Sequence, residues 1–194
     1  MRAPGDETAD GSTVRRAAVA RAPVDVGHHG AMSDTTVRPA RTDDVPRIHA
    51  LVHELAAYER EPDSCTVTVD QLRTALFGDA PALFAHVAVV DDDVVGTAIW
   101  FLNYSTWDGA HGIYLEDLFV RPDVRGRGAG RDLLATLARL CAARGYSRLT
   151  WSVLDWNAPS IAFYESLGAR PMDGWSTYRL SGPALAALGA PPTP

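Results

Sequence analysis

The chain contains no lysine, and all 18 of its basic residues are arginine. This absence excludes two enzyme classes, because P-loop nucleotide-binding proteins and Schiff-base enzymes both depend on a lysine side chain. Cysteine is scarce as well: Cys65 and Cys141 lie far apart, without CxxC spacing or neighbouring histidines. The sequence therefore indicates neither a zinc site nor a disulfide framework, and we expect two buried thiols in a reducing cytoplasm.

Long apolar runs and an excess of positive charge are also missing. No apolar stretch reaches the roughly 18 residues that a membrane-spanning helix needs. The net charge is -6, and because acidic and basic residues balance at four each up to Ser33, it falls entirely on the remainder of the chain. The lack of a long apolar run argues against a membrane partner, and the charge balance argues against a nucleic-acid partner and is compatible with a cationic ligand. An acidic surface that only maintains solubility would explain the charge equally well.

The chain is long enough for one domain. Its 194 residues, of which 46% are apolar, can bury one core and are too few for two comfortable domains. Residues 1–33 have no hydrophobic period and no apolar secretory segment, so we expect a disordered extension or an upstream mis-start before Met32. The folded domain is expected over 34–182, followed by an Ala- and Pro-rich flexible tail over 183–194.

Two helices are predicted at the start of this domain, after a short β-prone stretch at 36–38. The first begins after the polar residues 42–44 and runs to about Tyr58, with one apolar face formed by Val45, Ile48, Val52, Leu55 and Ala56. The second is short; Thr68 or Asp70 can cap it, and Gly78 ends it.

Strand-like runs dominate the middle of the chain. The pattern of apolar and turn residues predicts a hairpin of two strands at 84–90 and 94–102 and a third strand at 112–120. A glycine-rich loop and a long helix at 131–145 follow, and then a strand at 149–154, a helix at 159–167 and a last strand at 175–180. We therefore expect an α/β (α+β) fold with a mixed, mostly antiparallel central sheet flanked by helices.

The glycine-rich loop Arg-Gly-Arg-Gly-Ala-Gly at 125–130 is the sharpest feature. Glycines let a backbone approach a ligand closely, and the start of the following helix offers unpaired N–H groups to an anion. A plain surface loop has the same composition. A dinucleotide-binding fingerprint does not fit, because its third glycine would fall on Arg131 and the loop follows roughly the fourth strand. The loop is expected to hold a phosphate.

Residues 125–130 fit the (Arg/Gln)-x-x-Gly-x-(Gly/Ala) loop of the GNAT superfamily of N-acetyltransferases, which the chain resembles from Val37 to Leu180. Within that superfamily it resembles the diamine and thialysine group, which includes the spermidine/spermine acetyltransferases. The motifs that carry this resemblance are Glu-Leu-Ala-Ala-Tyr-Glu at 54–59, Tyr-Leu-Glu-Asp-Leu-Phe-Val at 114–120, Trp-Asn at 156–157 and Phe-Tyr at 163–164.

The resemblance implies acetyl-CoA as co-substrate, no metal, a small-molecule amine as acceptor and a homodimer with substrate sites near the subunit interface. It places coenzyme contacts, from the acetyl and pantetheine portion to the pyrophosphate and beyond, on Leu118, Phe119, Val120, Arg125, Gly126, Arg127, Gly128, Ala129, Gly130, Arg131, Asn157, Ala158, Pro159 and Ser160. It places substrate contacts on Tyr58, Glu59, Glu116, Thr150, Trp151, Ser152 and Asp173.

Two catalytic residues follow from this resemblance together with acid–base chemistry. A primary ammonium with a pKa near 10.4 must lose a proton before it can attack a thioester, and Glu116 is the candidate base, directly or through water. Tyr164 is the candidate acid for the departing thiolate. The alternatives are a Glu116 carboxylate paired with an arginine and a Tyr164 ring packed in the core.

The substrate remains open between two branches of the group. Residues 104–107 and 153–157 look like the thialysine branch, whereas 159–161 and 163–164 look like the polyamine branch. Arg60 should weaken capture of a long polycation, which favours a lysine-like amine or a short diamine. Two further alternatives are a catalytically silent CoA-binding regulatory protein and an enzyme that acetylates a protein amine.

Two side-chain groups are expected to have no part in the chemistry. His49 and His53 have a spacing that can bind a metal, but no third ligand is evident, so surface histidines are expected. The aromatic cluster Trp100, Phe101, Tyr104 and Trp107 could line a pocket or a dimer face, and core packing is favoured.

Overall fold

The computed structural model describes residues 35–191, so the predicted extension over residues 1–33 lies outside the described residues. Five strands form one sheet in the order β1 to β5: β1 Thr36–Pro39, β2 Phe84–Val90, β3 Asp93–Ser105, β4 Ala110–Val120 and β5 Leu149–Thr150. Neighbouring strands are antiparallel except β4 and β5, which are parallel. The predicted mixed, mostly antiparallel sheet is confirmed.

Five α-helices accompany this sheet in the described part of the chain: α1 Val45–Tyr58, α2 Val69–Phe77, α3 Ala129–Arg144, α4 Ala158–Ser166 and α5 Gly182–Gly189. Of the two residues proposed to cap α2, Thr68 is the one that does so. Its hydroxyl accepts a hydrogen bond from the Gln71 N–H at 3.2 Å, and the Gln71 side chain accepts one from the Thr68 N–H at 2.9 Å.

The core is divided into two apolar clusters by the sheet. One cluster packs Ile48 and Leu51 of α1 with Leu72 of α2 against β2, β3 and Phe119. The other packs α3, through Leu133 and Leu137, against β4 and its neighbours, and Phe163 and Tyr164 of α4 lie against it. Helices therefore cover both faces of the sheet, as the apolar stripes of α1 and α3 require.

The C-terminal part differs from the sequence prediction. The strand expected at 149–154 is only two residues long, and the strand expected at 175–180 does not form. The expected tail contains helix α5, whose residues are exposed. A strand needs a neighbour to pair its N–H and C=O groups, and residues 175–180 are exposed and join no strand of the described sheet.

Within residues 35–191, no helix combines the length and the apolar character that crossing a membrane would take.

Candidate active site

The sheet opens between β4 and β5. These strands pair only through Ile113 with Leu149 and Tyr114 with Thr150, after which the chain leaves β5. The following residues of β4, 115–120, therefore have no strand partner on that side. A cavity of about 490 Å³ lies along this open edge and is lined by β4, the glycine-rich loop, the end of α1 and α4.

A β-bulge in β4 shapes one wall of this cavity. Ile99 pairs with Asp117 and Trp100 pairs with Leu115, so Glu116 is the extra residue between two consecutive pairs. A bulge changes the direction of the side chains at that point. Glu116 is exposed and the adjacent Asp117 is half-buried, and both line the cavity.

Three carboxylates meet at this wall. Burial, and then the charges of Glu116 and Glu59, raise the pKa of Asp117 to about 6. Burial also raises the pKa of Glu59, at the C-terminal end of α1. The charges of Glu116 and Glu59 thus both reach Asp117, and together the three carboxylates give the cavity a negative wall suited to an ammonium ion.

Tyr164 faces the same cavity from α4. Its ring packs against Trp151 at 4.9 Å and Phe163 at 5.3 Å between centroids. Burial, and then the proximity of Glu59 and Tyr58, raise its pKa to about 12. Among the hydrogen bonds of the described residues, none involves its hydroxyl. Because of its raised pKa the phenol is protonated at neutral pH, and because its hydroxyl has no hydrogen-bond partner among the described residues it can donate to a ligand.

The glycine-rich loop closes the other end of the cavity. Gly126 and Gly128 have φ of 82° and 93°, in the left-handed region that favours glycine, and Gly128 precedes the first residue of α3. Arg125 fixes the loop to β4, because its Nε donates a hydrogen bond to the Val120 carbonyl at 2.9 Å. Its guanidinium also lies over the Tyr58 ring at 5.0 Å. The unpaired N–H groups at the start of α3 are held at the cavity wall.

Residues 48–169 match the model of the Acetyltransferase (GNAT) family. This chain belongs to the GNAT acetyltransferase family. It is 34% identical to the thialysine N-epsilon-acetyltransferase of Bos taurus, over 81% of this chain and 98% of that relative. It is 29% identical to the L-ornithine N5-acetyltransferase of Arabidopsis thaliana, over 78% of this chain and 86% of that relative.

A solved structure gives the same assignment at the level of the fold. An integron cassette protein from the mobile metagenome of V. cholerae superposes with a TM-score of 0.68 at 25% identity, covering 81% of this chain and 98% of that protein. The predicted GNAT fold and the similarity to the thialysine group are both confirmed. As a GNAT protein, the chain is an acetyl-CoA-dependent N-acetyltransferase.

The cavity fits acetyl-CoA, the co-substrate of the GNAT family. A diphosphate needs backbone N–H groups, positive charge and room near the main chain, and the loop supplies all three. A Cβ atom added at Gly126 would meet no atom within 4 Å, so the space above this residue is open. The unpaired edge of β4 can take up the amide groups of the pantetheine arm.

The predicted coenzyme and substrate residues mostly come together in this cavity. Those that line it are Tyr58, Glu59, Glu116, Leu118, Phe119, Val120, Arg125, Gly126, Gly128, Ala129, Gly130, Arg131, Trp151, Ser152, Asn157, Pro159, Ser160 and Tyr164. Four predicted residues are not in its lining: Arg127, Thr150, Ala158 and Asp173. Asp173 lies in the exposed C-terminal segment.

The two structural alternatives differ in outcome. No ion pair among the described residues involves Glu116, whereas the Tyr164 ring does pack against the core cluster while the residue also lines the cavity. Outside the cavity, His49 and His53 approach each other, with their Nε2 atoms 3.1 Å apart and that of His49 2.9 Å from the Val67 carbonyl oxygen. In the aromatic cluster, Trp100 is buried whereas Trp107 is exposed, so core packing describes only part of it.

Several lining residues were not predicted from the sequence: Leu55, Leu115, Asp117, Val153, Phe163, Ser166 and Leu167. The apolar ones carry no signal that separates them from core positions. Asp117 does carry one, because it stands inside the motif at 114–120 as a charged residue in a buried strand, next to Glu116.

Proposed function

We propose that this chain transfers the acetyl group of acetyl-CoA to the terminal primary amine of a small cationic molecule, by direct attack in a ternary complex. The acceptor is a lysine-like amino acid, such as thialysine or ornithine, or a short diamine or polyamine. The observation that carries the proposal is that an acidic wall, a protonated phenol and a glycine-rich helix start line the same cavity. The names of the two relatives support an amino acid with a side-chain amine.

The acidic wall captures the amine and takes its proton. Exposed Glu116 attracts the ammonium at the cavity, and we assign proton removal to Glu116, directly or through water, together with Asp117. The pKa of Asp117, about 6, makes it ionised at neutral pH but a stronger base than an ordinary aspartate. A base whose pKa lies near the working pH is effective in proton transfer.

Tyr164 acts at the other side of the reaction. Acetyl-CoA supplies an acyl group activated as a thioester. The Tyr164 phenol donates a hydrogen bond to the sulfur as negative charge develops there. Because its pKa of about 12 exceeds that of a thiol near 8.5, the phenol keeps its proton and stabilises the departing thiolate through this hydrogen bond, and the free thiolate then takes its proton from solvent.

A direct attack is supported by the positions of the two cysteines. Cys65 and Cys141 are both unpaired, and neither lines the cavity. A cysteine nucleophile that could carry the acetyl group is therefore lacking at this site. The two free thiols also support the proposed location in a reducing cytoplasm.

The proposed enzyme is a homodimer, and its exposed C-terminal segment, residues 170–190, supports this assembly. Trp175, Tyr178 and Leu188 are 71%, 92% and 76% exposed in the single chain. Large apolar side chains that are this exposed in a single chain are candidates for an interaction site. A second copy of the chain is the proposed cover for this segment.

Free-thiol release from acetyl-CoA in the presence of a panel of small amines tests the activity. We expect amine-dependent release that drops at least about a hundredfold in Tyr164→Phe, the range in which a general acid contributes. Tyr146→Phe, which removes a hydroxyl outside the cavity, serves as the matched control. Tight acetyl-CoA binding without thiol release for any amine would instead identify a silent coenzyme-binding protein.

A further inference from the structure

Arg60 has an unusual backbone position at the end of α1. The Arg60 N–H donates a hydrogen bond to the Ala57 carbonyl at 3.2 Å, and the Glu61 N–H donates one to the Ala56 carbonyl at 2.9 Å. This pair of bonds is the Schellman motif, in which the first residue beyond the helix cap is left-handed and usually glycine. Here that residue is Arg60, with φ of 68°. A side chain other than glycine is strained in this conformation.

The Arg60 side chain is held in place without a charge partner. Its guanidinium carbon lies 4.4 Å from the centroid of the Trp156 ring, a cation–π contact. Among the ion pairs and hydrogen bonds of residues 35–191, none involves this guanidinium. One face of the group rests on the indole, and its N–H donors are left for a ligand.

This charge stands beside the amine-binding wall. The two residues before Arg60 in the chain, Tyr58 and Glu59, line the cavity, as does Asn157, which follows Trp156. The Arg60–Trp156 contact therefore joins the two chain segments that border the cavity at the end of α1 and the start of α4. Arg60 itself is exposed and lies outside the lining, whose two arginines, Arg125 and Arg131, belong to the glycine-rich loop and the first turn of α3.

We propose that Arg60 binds the α-carboxylate of an amino-acid substrate while Glu59, Glu116 and Asp117 hold the distal ammonium. The inference rests on the proposed function and narrows it to amino acids with a side-chain amine. A guanidinium binds a carboxylate through two parallel hydrogen bonds, which fixes the orientation of the ligand. The strain at Arg60 is then explained, because glycine would fit the backbone better but could not bind the carboxylate.

Amines that differ only by the carboxylate provide a matched test. Lysine is compared with cadaverine and ornithine with putrescine, as acceptors for wild type, Arg60→Gln and Arg60→Gly. We expect kcat/KM for the two amino acids to fall about tenfold or more in both variants, mainly through KM, because a charge-assisted hydrogen bond is lost. The values for the two diamines should stay the same or rise. Arg139→Gln, an exposed substitution on α3, serves as the control.

A second measurement separates this role from a structural one. The melting temperature of Arg60→Gly should equal or exceed that of wild type, because glycine relieves the left-handed conformation. Equal losses for both members of each amine pair would overturn the inference, as would unchanged amino-acid kinetics with improved diamine kinetics, which would indicate repulsion alone. If wild type acetylates none of the four amines, this inference fails; the proposed function fails with it only if thialysine and spermidine are not acetylated either.

Discussion

The Tyr58 hydroxyl donates a hydrogen bond to Oδ1 of Asn157 at 3.0 Å. The same oxygen accepts a hydrogen bond from the Ser160 N–H at 3.3 Å and so caps α4. Asn157 is only 5% exposed. This buried oxygen thus connects the end of α1 with the start of α4. Because Glu59 follows α1 and Tyr164 belongs to α4, the distance between these two side chains depends on this connection.

Tyr58→Phe should therefore lower stability and weaken amine binding together. A hydrogen bond of this kind contributes about 1 kcal/mol to the free energy of unfolding. We expect a lower melting temperature and a KM for the amine raised several-fold. Thermal unfolding and steady-state kinetics measure the two effects. Tyr104→Phe, on β3 outside the cavity, is the matched control. If Tyr58→Phe and wild type have the same melting temperature and the same KM for the amine, the Tyr58–Asn157 hydrogen bond does not position the site.

Asp117 should make stability depend on pH. Its ordinary pKa is 3.8 and its folded pKa is about 6, so folding favours the protonated form. The stabilisation from protonation is complete below pH 3.8 and is lost as the pH rises through 6. Asp117→Asn should raise the free energy of unfolding at pH 8 by about 1 to 2 kcal/mol, allowing for its partial exposure. The gain should be smaller at pH 5.

Thermal unfolding of wild type and Asp117→Asn at the two pH values measures this difference. Asp79→Asn, at an exposed position with no hydrogen bond or ion pair among the described residues, serves as the control. In wild type, kcat/KM should also fall as the pH drops through about 6, where Asp117 becomes protonated. If kcat/KM of Asp117→Asn falls in the same way at low pH, Asp117 takes no part in proton removal and that role belongs to Glu116.

The parts of the fold set by local pattern could be predicted from the sequence. The apolar stripe of α1, the Thr68 cap and the β2–β3 hairpin depend on residues a few positions apart, and each appears as expected. The glycine-rich loop likewise could be placed at a helix start, since the need for positive φ is a property of the residues themselves.

The parts that depend on tertiary contacts could not be predicted. The bulge at Glu116 arises from the register between β3 and β4, which no local period specifies. The Tyr58–Asn157 hydrogen bond joins positions 99 residues apart. Residues 175–180 have the β-prone composition of a strand but no strand partner among the described residues, so composition alone gave the wrong assignment.

Two glycines of the coenzyme loop should respond in opposite ways to alanine. Gly126→Ala meets no atom within 4 Å but would force alanine to φ of 82°, at a cost of about 1 to 2 kcal/mol. Gly130→Ala lies in the first turn of α3, where its Cβ would be 3.6 Å from the Phe163 ring, and should gain about 0.5 to 1 kcal/mol.

If the loop holds the coenzyme diphosphate, both substitutions should nevertheless weaken acetyl-CoA binding, which calorimetric titration measures. Gly109→Ala is the matched control, because Gly109 has φ of 64° and open space but lies in the turn between β3 and β4. It should lose stability without losing affinity. Unchanged coenzyme affinity in Gly126→Ala and Gly130→Ala would place the diphosphate elsewhere.

The exposed C-terminal segment should carry the dimer contact. Replacing Trp175 and Tyr178 by serine removes two large apolar surfaces that are 71% and 92% exposed in the single chain. If a second copy covers them, the hydrophobic gain of about 25 cal/mol per Å² is lost on substitution. We expect wild type to sediment as a dimer and the double serine variant as a monomer at micromolar concentration, with little change in the unfolding of the monomer.

A double phenylalanine variant retains the apolar area and should remain dimeric. Equal sedimentation of all three proteins would exclude this segment from the interface, because in that case the exposed rings contribute nothing to assembly.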